Sequence, residues 1–173
     1  MKKLFTAVIL LLTLVTNAQT FNFNPDGTTE YVVYNVDKIT AKDLYTKTLN
    51  WVNVNYKNPD IVIKAKVEND MIRIEAFNTK VFTRIFKSGS TGDYDAFYTL
   101  EIEFQDNKYR IKYTNNEIKV DGGKVFFTLS DMLNNFPDKN GNTYDNCKTQ
   151  YELNVQALMD SLHNYITKSK DKW

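Results

Sequence analysis

The chain has 173 residues, with 22 Lys+Arg against 21 Asp+Glu, 42% apolar side chains and 14% aromatic ones. That composition excludes a disordered chain, a collagen-like repeat and a coiled coil, and the length suits one domain whose core needs no disulfide staples. The near-neutral charge removes the usual electrostatic motive for a nucleic-acid partner, and a single Cys with a single His excludes a Cys/His zinc site or a disulfide framework within one chain.

Lys2 and Lys3 precede an apolar run from Leu4 to Val15, and Thr16-Asn17-Ala18 supplies the small residues that a signal peptidase reads. The run is too short for a ~30 Å hydrocarbon core, so residues 1–18 read as a signal peptide cleaved after Ala18. No cysteine lies at the junction, so the product is not a lipoprotein. A periplasmic or secreted protein with no transmembrane segment in its mature chain is the expectation. Cys147 then sits in an oxidising compartment, where it either hides in apolar surroundings or pairs between chains, and a buried or incidental thiol is a better reading than a catalytic one, because a nucleophilic thiol needs a basic partner.

Residues 19–29 read as a lead-in with a strong turn signal at Asn24-Pro25-Asp26-Gly27, and residues 30–173 as one domain. Glu30 to Val36, rich in Tyr and Val, predicts a first strand. Thr40 with Asp43 resembles a capping box, and Ala41, Leu44, Thr48, Trp51, Val52 and Asn55 recur at helical spacing up to Asn58-Pro59.

Ile61, Ile63, Ala65 and Val67, then Ile72, Ile74 and Ala76, alternate with polar residues. A two-residue turn at Asn69-Asp70 predicts Val67 opposite Ile72, Ala65 opposite Ile74 and Ile63 opposite Ala76. It also sets Lys64 against Glu75 and Lys66 against Arg73. Lys80 to Phe86 predicts a further strand, and Ser88-Gly89-Ser90-Thr91-Gly92 a flexible connection.

The clearest register surrounds Asp106-Asn107. A two-residue hairpin turn there sets Phe104 against Tyr109, Ile102 against Ile111 and Leu100 against Tyr113. The other face then pairs Glu103 with Arg110 and Glu101 with Lys112, each worth about 0.2–1 kcal/mol. A slip of one residue would scramble both faces. Asn115-Asn116 predicts another turn before Ile118 and Val120, Val125 to Leu129 a short strand, and Ser130 to Phe136 a brief helix. Pro137 to Asn146 reads as polar loop. A last helix from about Thr149 to Thr167 aligns Tyr151, Val155, Leu158, Leu162 and Ile166. Antiparallel strands with one apolar face, together with two amphipathic helices, predict an α+β layer in which both helices cover the same side of the sheet.

Leu44-Tyr45 and Trp51 in the first helix, Ile61, and Tyr109-Arg110-Ile111 in the charged hairpin resemble a family of secreted bacterial domains of unknown function with a fold like that of the TATA-binding protein. The similarity spans about Glu30 to Val120. It implies a curved antiparallel sheet with two helices on one face, in the order β-α-β-β-β-β-α, and it carries no catalytic residues with it.

Among candidate sites, Glu101 and Glu103 have the spacing of paired acid/base carboxylates, but cationic partners across the ladder would hold both ionised. His163 flanks the apolar stripe of the last helix and reads as structural. Ser88 and Ser90 lack the nucleophile elbow. Asp138, Asn140 and Asn142 occupy alternate positions of a calcium loop, yet Thr143 stands where glycine is needed and Thr149 where a bidentate Glu is needed. Residues 88–92 lack the ending of a phosphate loop. Neither a metal nor a cofactor is indicated. Of Tyr31, Tyr34, Phe77, Phe82, Phe86 and Phe97, those that point away from the helices could form a sticky patch, although core packing is the commoner use. The reading is a noncatalytic domain binding an envelope protein, peptide or glycan through its sheet edge or face, the face carrying Lys64, Glu75, Glu101, Glu103, Arg110 and Lys112. A small envelope hydrolase using Glu101 and Glu103 is the alternative.

Overall fold

The computed structural model describes residues 20–86, 88–120, 126–130 and 145–168. The leader, the glycines at 122 and 123, most of the segment expected as a brief helix, and Asp138, Asn140, Asn142 and Thr143 lie outside them.

The elements run in the order β1 (Val32–Asn35), α1 (Ala41–Asn55), α2 (Pro59–Val62), β2 (Ile63–Val67), β3 (Met71–Ile85), β4 (Thr91–Gln105), β5 (Lys108–Val120), β6 (Phe126–Phe127) and α3 (Asp145–Thr167). Among the described residues all strand pairings are antiparallel, in the order β1-β5-β4-β3-β2, with β6 also on β5. The two long helices pack on one face, α1 against β4 and β5, α3 against β3 and against α1. The α+β class and the single helical layer expected from the sequence are thus found.

The β4–β5 hairpin has the expected register, with Phe104 opposite Tyr109, Ile102 opposite Ile111 and Leu100 opposite Tyr113. All six are buried, and at about 1.5–3 kcal/mol for each apolar side chain removed from water this face dominates the stability of the sheet. Ile72 and Ile74 of β3 extend it. From the helices come Leu44, Trp51 and Val52 of α1, and Tyr151, Val155, Met159, Leu162 and Ile166 of α3. The Trp51 indole N–H donates to Ser161 Oγ at 3.1 Å and ties the helices together. The Thr40 hydroxyl accepts the Asp43 backbone N–H at 3.1 Å and starts α1 as the capping pattern predicts.

Several expectations are corrected. Pro59 opens a short helix instead of only ending α1, because its fixed φ suits a first helical position, and this takes Ile61 and Val62 out of β2. The β2–β3 turn holds three residues, with Asn69 left-handed at φ 61° and the Asp70 N–H donating to Val67 O at 3.1 Å. Val67 therefore pairs with Met71, Lys66 with Ile72, Ala65 with Arg73 and Ile63 with Ile74, and Lys64 is an extra residue at a β-bulge instead of facing Glu75. The firmly buried pairing of β3 with β4 fixes β3, and the edge strand adjusts to it.

Lys80 to Phe86 does not begin a separate strand. β3 continues through an irregularity between Asn78 and Phe82, where Lys80 has φ 53° and its N–H donates to Asp95 Oδ1 at 2.9 Å. Asn115-Asn116 is likewise a bulge within β5, not a turn. Asn116 is the inserted residue, and it lets Ile118 return to the buried side.

The lead-in belongs to the core. Phe21 and Phe23 are buried and meet Tyr113 edge-on, and their N–H groups donate to Gln156 Oε1 and Glu152 Oε1, each at 2.8 Å. The turn at residues 24–27 forms as expected, with Gly27 at φ 81° donating to Asn24 O at 2.9 Å. α3 begins at Asp145, so Asp145 and Asn146 are helical and not part of a loop.

Candidate functional site

Alternation along β3, β4 and β5 sends every second side chain to the face that the helices leave uncovered. Near the β4–β5 turn this face is ionic. The Arg110 guanidinium grips Glu103 Oε2 through Nε at 3.0 Å and Nη2 at 2.6 Å. Arg73 grips Glu101 Oε2 in the same manner, at 2.9 and 2.6 Å.

Tyr31, immediately before β1, lies across both glutamates. Its hydroxyl donates to Glu103 Oε1 at 3.0 Å and reaches Glu101 Oε1 at 3.4 Å. Arg110 stacks over its ring at 4.1 Å, and the Lys112 ammonium lies 5.5 Å from the ring centre.

The backbone register places Glu101 opposite Lys112, as read from the sequence, but it also places Glu101 opposite Arg73 on its other side. Arg73 takes the carboxylate, since a planar fork matches it better than a point charge. This contact lies on the β4 side of β3, which the pairing of β2 with β3 does not address. Lys64 and Glu75 are both exposed, and neither joins an ion pair among the described residues.

Partial burial pushes the Glu103 carboxyl up, but hydrogen bonds from Arg110 and Tyr31 and the charge of Arg110 outweigh it and hold Glu103 below its ordinary value. Burial, and then the hydrogen bond to Glu103, push the Tyr31 phenol up. A carboxylate held ionised in this way, as Glu103 is, accepts hydrogen bonds and pairs with cations; it is a poor proton donor.

Farther along the same face the chemistry becomes apolar. Phe77 and Phe97 are directly paired, 4.6 Å apart between ring centres at 46°, and remain 43% and 39% exposed. Thr99 and Asn116 join side by side at 3.0 Å between this pair and the ionic end. Tyr34 and Phe82, which the sequence left open as patch residues, are buried among the core aromatics, and Phe86 is half-buried.

Other candidate groups are dispersed. The half-buried His163 lies under the opposite face, with Nδ1 3.0 Å from the Tyr109 hydroxyl and its ring stacked on Tyr34 at 4.8 Å. Cys147 is buried, its thiol directed at Thr83 O at 3.9 Å, and at 1.5 Å rise per residue it stands about 24 Å along α3 from His163. Ser88 and Ser90 bond to each other at 2.7 Å in the β3–β4 turn. No group of three or more His, Cys, Asp or Glu that could hold a metal occurs among the described residues. Nor does any described helix have the length and apolarity to cross a membrane.

A sheet backed by two helices on one side and open on the other, with a strand-helix start and a helical end, is the architecture of TATA-binding-protein-like (TBP-like) domains. Residues 31–119 match the family described as a domain of unknown function (DUF4468) with TBP-like fold, and the chain belongs to that family. A TBP-like protein from Parabacteroides distasonis ATCC 8503 superposes with a TM-score of 0.60 at 12% identity, over 85% of this chain and 96% of that one. A DUF4468 family protein from Bacteroides ovatus ATCC 8483 gives 0.57 at 9% identity, over 86% and 91%. At such identities the likeness is one of fold. No curated protein matches the chain.

Proposed function

We propose that the chain is a noncatalytic binding domain of the periplasm or the secreted fraction, released from a leader that ends at Ala18, and that a protein, peptide or glycan partner docks on the open face of its sheet. The observation that carries this reading is the face itself: an ordered ionic end joined to an exposed aromatic pair, on a scaffold whose other side is filled by helices. Rigid strands present these groups without the entropy loss of ordering a loop.

The face is a better surface than the edge. β2 is short, bulged at Lys64 and carries Lys66, the features by which sheets discourage added strands. The hydrolase reading loses support because each glutamate is clamped by an arginine at 2.6 Å and the histidine lies on the other side of the sheet.

Affinity capture from envelope fractions with the mature protein tests the proposal. A partner retained by the wild type and by Leu153→Ala, an exposed helix position, and lost with Arg110→Ala or Phe97→Ala supports it. A hydrolytic activity that Glu101→Gln abolishes would overturn it.

A further inference from the structure

Phe77 and Phe97 are left in water although most aromatic rings among the described residues are buried, and two carboxylates stand beside them, with Lys119 farther along β5 opposite Asp95. Glu75 precedes Phe77 by two positions on β3 and therefore points the same way. Glu117 is paired with Phe97 across β4 and β5, where opposed Cβ atoms lie about 4.5–5.5 Å apart. Both glutamates are exposed, and neither joins an ion pair among the described residues. Glu101 and Glu103 on the same face are each held by an arginine of the chain itself.

The ionic end shows what such a set of groups binds. There Arg110 lies 4.1 Å over the Tyr31 ring while its Nη2 bonds Glu103 at 2.6 Å, so one guanidinium uses an aromatic face and a carboxylate together. The far end has the same ingredients, rings flanked by carboxylates; Arg73, two positions from Glu75 on the same face, feels that carboxylate's charge, but its fork is taken by Glu101.

We propose that the Phe77–Phe97 pair with Glu75 and Glu117 is a docking site for an arginine side chain on an extended segment of a partner protein. The guanidinium stacks on the rings and pairs with one or both carboxylates. This rests on the reading of the open face as the binding surface and specifies the chemistry of its partner. Arginine fits better than lysine because its planar, weakly hydrated head stacks on rings and forks onto carboxylates. The same carboxylates repel a phosphate backbone, and a neutral glycan lacks the charge they call for.

The test is amide NMR of the 15N-labelled protein titrated with a capped peptide of alternating arginine and alanine, beside versions with citrulline or glutamate in place of arginine. Shifts centred on Glu75, Phe77, Phe97 and Glu117 are the expected result. Binding should weaken about tenfold for the citrulline peptide, and about fivefold or more for the Glu75→Gln/Glu117→Gln double variant and for Phe97→Ala. All of these substitutions are at exposed positions, and an unchanged core spectrum confirms that the variants fold. The inference is overturned if the arginine peptide leaves those four amides unmoved or binds the double glutamine variant equally well. Should it fail while the glutamate peptide or an oligosaccharide shifts the amides of Arg73, Arg110 or Lys112, the open-face reading survives without it. Shifts confined to the solvent side of the helices overturn both.

Discussion

Asp106, in the turn between β4 and β5, accepts a hydrogen bond at 2.9 Å from the backbone N–H of Ala41, the first residue of α1. Asn107 beside it binds the approach to the helix: its N–H donates to Ile39 O at 2.9 Å, and its carbonyl accepts the Val36 N–H at 2.8 Å. The first turn of a helix leaves N–H groups without intrahelical partners. Here Thr40 satisfies one of them locally and the hairpin satisfies another from far away in sequence.

Asp106→Ala is therefore expected to destabilise the protein by about 1 kcal/mol, within the range for losing a helix cap, although Asp106 is an exposed turn residue. Urea denaturation checks it. A change indistinguishable from that of Lys108→Ala, an exposed neighbour, would show that the contact contributes nothing.

The lead-in is expected to behave as core. Phe23→Ala should cost about 3–5 kcal/mol, in the range of other buried Phe truncations, while Phe97→Ala on the open face should stay within about 1 kcal/mol. Thermal unfolding of the two variants side by side decides whether residues before Glu30 are structural.

Burial pushes the His163 imidazole down, with Asp160 opposing, so the folded protein binds its proton less readily than the unfolded chain does. Stability from this group is complete above the unfolded value near 6.5, declines as pH falls through it, and levels off below the folded value. The groups facing the ring are Tyr34 and Tyr109, and burial raises both phenols, Tyr34 to about 12, so neither changes charge in that window. His163→Gln should show a smaller loss of stability between pH 7.5 and pH 5 than the wild type. Equal losses would assign the acid sensitivity elsewhere.

The ion pairs on the open face should matter little for folding. Arg73 and Arg110 are nearly half exposed, and such pairs contribute about 0–1 kcal/mol. A double-mutant cycle of Arg73→Ala and Glu101→Ala should give a coupling below about 1 kcal/mol. A larger value would mark the ladder as part of the scaffold and weaken its assignment to binding.

What the sequence made legible follows from how strongly each segment is constrained. The β4–β5 hairpin was readable because both faces carry information: three apolar pairs on one side and two opposite-charge pairs on the other agree on a single register. β2 has no fully buried residue and lies at the end of the strand order, so the alternation of Ile63, Ala65 and Val67 suggested a facing that its bulge and three-residue turn override. Bulges leave no compositional mark of their own; Asn115-Asn116 looks like a turn, and only the need to bury both Tyr113 and Ile118 points to an inserted residue. The burial of Phe21 and Phe23 could have been suspected from two aromatics at a spacing of two. At the open face, Glu103 with Arg110 was legible from one hairpin, and Arg73 with Glu101 was not, because it depends on the pairing of β3 with β4, which no two-residue turn specifies. Phe77 and Phe97 were visible as aromatics, but which face they occupy emerges only from pairing three strands at once.

The inserted residue in β5 gives that strand slack in its length. A chain shortened by Asn116 would run as a regular strand with Tyr113 and Ile118 still turned toward the helices, whereas a residue lost between Lys108 and Tyr113 would reverse the phase of the most heavily buried strand pairing. Relatives that differ in length along this strand would thus be expected to gain or lose their residue at this point, beside the exposed phenylalanines, where such a change reshapes the outer surface and leaves the interior alone.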